Sequence, residues 1–105
     1  MDNESNRYTV IVSENAAQML VSYARFLAQV SEKAVLRLID DFQAQVKTLE
    51  QFPERNPMLI DQSIPAGKYR KLLLKKRHLL IYQIKETTVY LDAVADTRQD
   101  YGWLL

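Results

Sequence analysis

Apolar residues recur at Ala16, Met19, Leu20, Tyr23, Phe26, Leu27 and Val30, three and four positions apart, so the chain is predicted to form a helix there with one buried face. Ser13 is placed to cap its start, with Glu14 as the favourable acid of the first turn. A second stripe follows at Val35, Leu38, Ile39, Phe42, Val46 and Leu49, with Ser31 as its cap and Asp40, Asp41, Gln45 and Lys47 mostly on the other side. With almost no linker between them, the two helices form an antiparallel hairpin.

Either side of this hairpin the pattern belongs to strands. Residues 8–12 (YTVIV) are a short β-branched run. Residues 53–67 hold all three prolines and form a connector, with Met58, Leu59 and Ile60 laid against the core. Three strands follow at about 68–74, 79–84 and 88–95, and turns at 75–78 and 85–87 are short enough to make an antiparallel meander. Simple alternation puts Leu80, Tyr82 and Ile84 on one face, with Val89, Leu91, Ala93 and Ala95 likewise sharing a face. Leu79, Ile81, Tyr90 and Val94 then occupy the opposite face, so both sides of the sheet should be covered, at least in a complex. The fold class is α+β: an N-terminal strand, an antiparallel helical hairpin and a three-stranded antiparallel meander.

At 105 residues and 48% hydrophobic composition, the chain suits one globular domain with a core of its own. Residues 1–7 are expected to be a flexible N-terminus and residues 8–105 the domain. The absence of cysteine removes disulfide and thiolate chemistry and fits a reducing cytoplasm. MDNESNR is too polar for a signal peptide, and no apolar run approaches the roughly 20 residues of a membrane span.

Charge changes the picture most. The net charge is only +1, yet six Lys/Arg and eight Asp/Glu in residues 1–60 give −2, whereas eight Lys/Arg and five Asp/Glu in residues 61–105 give +3. Lys68, Arg70, Lys71, Lys75, Lys76 and Arg77 crowd into ten residues without an acid among them. Such a field steers an anionic partner; it also reads as a strand edge guarded by lysines.

The segments YTVIVSENA, LEQFPERNPML, KYRKLLLKKRHLLIYQI and VYLDAVADTRQDYGWLL, in this order and from about residue 8 to the end, resemble the RelE/ParE superfamily of toxins from bacterial type II toxin–antitoxin pairs. The resemblance implies a single RelE/ParE-like toxin domain in the cytoplasm, with a cognate antitoxin as partner and no cofactor. It also implies two unlike activities on one fold. One is ribosome-dependent, metal-free cleavage of mRNA, with ribosome and mRNA as partners, and this is the leading expectation. The alternatives are inhibition of DNA gyrase by binding, or a non-toxic member that only binds a partner.

Metal-free RNA cleavage needs a group to take the 2′-hydroxyl proton, cations for the charged phosphorane and an acid for the leaving oxygen. By segment, the resemblance puts Arg70 and Arg98 in the place of the family's arginines, whose forked donors suit phosphate. His78, the only histidine, is the candidate acid or base as in a histidine-containing subgroup; a lone histidine is also commonly structural. Tyr101 lies near the family's C-terminal tyrosine and reads equally as a core aromatic beside Trp103 and Leu104. Lys68, Lys71, Lys75, Lys76 and Arg77 are the candidate RNA contacts. Against these stand Leu72, Leu73 and Leu74 at the centre of the strand, and Asp96 and Asp100 beside Arg98, which repel phosphate unless paired.

Other chemistries find little support. One histidine and no cysteine leave no zinc site of usual spacing. Asp40 and Asp41 do not share a helix face, and Asp92, Asp96 and Asp100 span a strand end and a tail. Two glycines, Gly67 and Gly102, make no phosphate loop.

Overall fold

In a computed structural model of the chain, residues 7–74 and 78–97 are described, so the expected flexible segment 1–7 lies, Arg7 apart, outside them. The order is β1 (Thr9–Val12), α1 (Glu14–Ala28), α2 (Glu32–Gln51), a 3-10 turn (Pro53–Arg55), β2 (Arg70–Leu74), β3 (His78–Lys85) and β4 (Thr88–Asp96). Among the described residues the strands form one sheet in the order β1-β4-β3-β2. β2–β3 and β3–β4 are the expected antiparallel pairs. β1 lies parallel to β4, with Thr9 opposite Thr88, because the hairpin between them acts as the crossover a parallel pair requires.

Both helices begin where the sequence places their caps. The Ser31 hydroxyl accepts from the Ala34 amide at 3.3 Å, and the Ser13 hydroxyl accepts from the Ala16 amide at 2.9 Å. Ser13 does more, since its hydroxyl also donates to the Asp92 carbonyl at 3.1 Å and so ties α1 to β4. Ser13→Ala removes both bonds and is expected to cost about 1–2 kcal/mol, read as a lower urea midpoint at unchanged slope.

The helices cover one face of the sheet. Ala16, Leu38, Leu49, Leu74, Leu80, Tyr82, Val89, Leu91 and Val94 form a single buried cluster there. Three residues expected in the helical stripes are exposed instead: Phe26 is 66% exposed, Val30 77% and Ile39 37%. Val30 follows the last helical residue, Ala28. Phe26 and Ile39 each adjoin a residue packed inward, Leu27 and Leu38, and so sit roughly 100° away around the helix.

The opposite face is closed by the connector, through Leu59 and Ile64 on Tyr69, Leu79, Ile81, Ala93 and Ala95. Ala93 and Ala95 were expected beside Leu91, and Val94 opposite it, but the register between β3 and β4 shifts between Ile81 and Tyr82. Ile81 faces Ala93 and Tyr82 faces Leu91, which leaves Asp92 as the extra residue of a bulge. One inserted residue exchanges the faces of every side chain beyond it. The bulge is held at three points: Ser13 and Asn15 donate to the Asp92 carbonyl, and the Gln83 amide donates to its carboxylate at 2.6 Å.

Candidate functional site

Arg70 opens β2 opposite Tyr82, and its guanidinium points at the protein's own backbone. Nη1 donates to the Asn56 carbonyl at 2.7 Å and to the Glu54 carbonyl at 3.2 Å. The Tyr82 hydroxyl donates to the Pro53 carbonyl at 2.5 Å and accepts from the Asn56 side-chain amide at 3.0 Å. Arg70, Tyr82 and Asn56 thus clamp the turn after α2 onto the sheet. Burial pushes the Tyr82 phenol above its usual pKa, against the opposing pull of the Asn56 hydrogen bond and the Arg70 charge.

The surroundings of Arg70 are mixed in charge. An open cleft of about 390 Å³ is lined by Glu54, Met58, Lys68, Arg70, Ile84 and Glu86, so its two cations share the space with two carboxylates. Lys68 extends its ammonium over the Tyr69 ring at 5.3 Å. Lys71 stands opposite Ile81 and therefore on the sheet face away from Arg70.

His78 is the first residue of β3 rather than part of the turn, paired with Leu74 on one side and Asp96 on the other. The Tyr23 ring lies against its imidazole, centroids 4.2 Å apart at 51°. Burial, and then the Asp96 carboxylate, raise the Tyr23 pKa, while a hydrogen bond with the Asp96 backbone works the other way. This cluster of Tyr23, His78 and Asp96 and the Arg70 clamp are separate places. Along β2 the residue opposite His78 is four positions from Arg70, about 13 Å at roughly 3.3 Å per residue. Arg98, Tyr101, Lys75, Lys76 and Arg77 lie outside the described residues.

Sequence reasoning treated Tyr23 and Tyr82 as core residues and did not single out Asn56. No spacing rule links residue 23 to 78 or 56 to 82; these contacts come from the way the hairpin and connector fall on the sheet. Among the described residues no group of three or more His, Cys, Asp or Glu side chains could hold a metal ion, and no helix is long and apolar enough to cross a membrane.

The sequence matches the family described as "ParE toxin of type II toxin-antitoxin system, parDE" over residues 10–101. Comparison with curated proteins gives no match. Among solved structures, a chain of the "Chromosomal ParDE TA system from P. aeruginosa" superposes with a TM-score of 0.68, at 17% identity, covering 88% of this chain and 98% of that one. At that identity the likeness speaks for the fold.

The expectation of a ribosome-dependent mRNA endonuclease, with ribosome and mRNA as partners, is overturned by the family match, which falls on ParE and not on the RNA-cutting branch. The geometry gives a physical reason in the same direction: Arg70 is engaged by backbone carbonyls, and His78 is remote from it. With the match spanning most of its length, the chain belongs to the ParE toxin family of type II toxin–antitoxin systems.

Proposed function

We propose that this ParE toxin arrests growth by binding DNA gyrase and blocking it, with no reaction of its own, and that a cognate antitoxin holds it in check. The family match over residues 10–101 carries this reading, because inhibition of gyrase by binding is the activity associated with the ParE branch of the fold. The surface supports it. Phe26, Val30 and Leu36, 62–77% exposed, cluster in sequence around the hairpin tip and offer apolar area of the kind a protein ligand uses. The cytoplasm is the compartment such a target implies.

Two measurements test the proposal together. Purified toxin is expected to inhibit supercoiling by gyrase in vitro, with inhibition relieved on adding antitoxin, and mRNA ends mapped after induction are expected to match those of uninduced cells. Codon-positioned mRNA cleavage with gyrase activity intact would overturn it.

A further inference from the structure

α1 packs one face onto the core through Ala16, Leu20, Tyr23, Ala24 and Leu27, and turns the opposite face outward. On that outer face Glu14, Ala17, Gln18, Val21, Ser22 and Arg25 are all exposed and line one open groove of about 470 Å³. Val21, in the middle of it, keeps 47% of its surface in solvent. The charges stand only at the two ends, since Glu14 belongs to the first turn of the helix and Arg25 to the last. Between them the lining is uncharged. Three helical turns, about 16 Å, separate the two, so they share a side of the helix but are too far apart to pair with each other.

We propose that this face of α1 binds a second copy of the chain, the two helices lying antiparallel about a two-fold axis at the level of Met19 and Leu20. Glu14 of one copy then meets Arg25 of the other, Ala17 meets Ser22 and Gln18 meets Val21, and the two-fold makes each of these contacts twice. Charge selects the orientation: a parallel pair would set Glu14 on Glu14 and Arg25 on Arg25, whereas the antiparallel pair joins opposite charges and opposes the helix dipoles. It also selects the occupant. An acidic or a basic segment suits one end of the groove and is repelled at the other, while a second α1 brings both signs at the right spacing by construction. The short side chains of Ala17 and Ser22 let the axes approach to about 8 Å, which seats Val21 against the other helix. One helix pair is smaller than the roughly 1,200 Å² of a standard interface, so the dimer is weak and reversible, with a Kd in the micromolar range.

Sedimentation equilibrium of the purified full chain, carried to about 500 µM, tests this and is expected to show a monomer–dimer equilibrium. Glu14→Arg sets arginine on arginine at both ends of the pair, and Arg25→Glu sets glutamate on glutamate, so each is expected to raise the dimer Kd by about 10-fold or more. Mixing the two variants restores opposite charges at both ends, and so does combining the substitutions in one chain; each is expected to return the Kd to within about threefold of the unmodified toxin. The restoration also shows that the variants are folded. A toxin that stays monomeric throughout overturns the proposal, and if the reversals then weaken antitoxin binding instead, the face belongs to the antitoxin. A dimer indifferent to both reversals, or one that mixing does not restore, overturns it as well, because the copies then meet elsewhere.

Discussion

Tyr82→Ala is expected to cost about 3–5 kcal/mol, the cost of emptying a large aromatic site, and that is a large part of a small domain's total stability of about 5–15 kcal/mol. Tyr82 is fully buried, stands between β2 and β4, and belongs to the cluster under the helices. Urea unfolding followed by circular dichroism measures the loss. Tyr82→Phe keeps the ring and removes only the hydroxyl, so the Pro53 carbonyl loses its donor and about 1–3 kcal/mol is expected to go. Loss of less than about 0.5 kcal/mol in Tyr82→Phe would show that the clamp adds nothing beyond packing.

The same phenol sets an alkaline limit. Its folded pKa is raised, so the protonated form is favoured in the native state, and the associated stability is fully present below the unfolded value near about 10. It is lost as pH rises through the raised folded value. Tyr23, also raised, acts in the same direction. Stability is therefore expected to fall above about pH 10, and less steeply in Tyr82→Phe; urea midpoints across that range check the sign.

Arg70 gives the second large effect. Arg70→Ala removes a charged donor from the carbonyls of Glu54 and Asn56 and is expected to cost about 2 kcal/mol, with faster amide exchange at Leu59, where the connector meets the sheet. Since Arg70 and Tyr82 hold the same turn, their effects should not add. The double mutant with Tyr82→Phe is expected to show a coupling of about 0.5 kcal/mol or more. Additive effects would mean that the two side chains hold the turn independently. Gyrase inhibition by Arg70→Ala at a temperature where it stays folded is expected to match that of the unmodified toxin. An RNA-cleaving site would instead lose on the order of 100-fold in activity on removal of such a charge partner.

Most of the fold was legible because its signals are local. Ser13 and Ser31 cap the helices from within one turn, the three-and-four spacing is a property of a single helix, and the short turns force neighbouring strands to pair. The candidate site was legible only as a list of residues by segment. The sequence marks Arg70 as a forked donor suited to phosphate, whereas in the structure its Nη1 donates to backbone carbonyls 14 and 16 residues earlier, which composition does not reveal.

By itself the sequence determined the order of elements, the caps, the α+β class and the concentration of positive charge in residues 68–77. Only the tertiary structure decided the parallel seat of β1 on β4, the bulge at Asp92 that turns Ala93 and Ala95 away from the helices and Val94 toward them, and the exposure of Phe26 and Ile39. The physical reason is common to all of them. Periodicity states which residues an isolated helix or strand would turn to one side, whereas register, bulges and hydrogen-bond partners are set by what another segment, distant in sequence, places there.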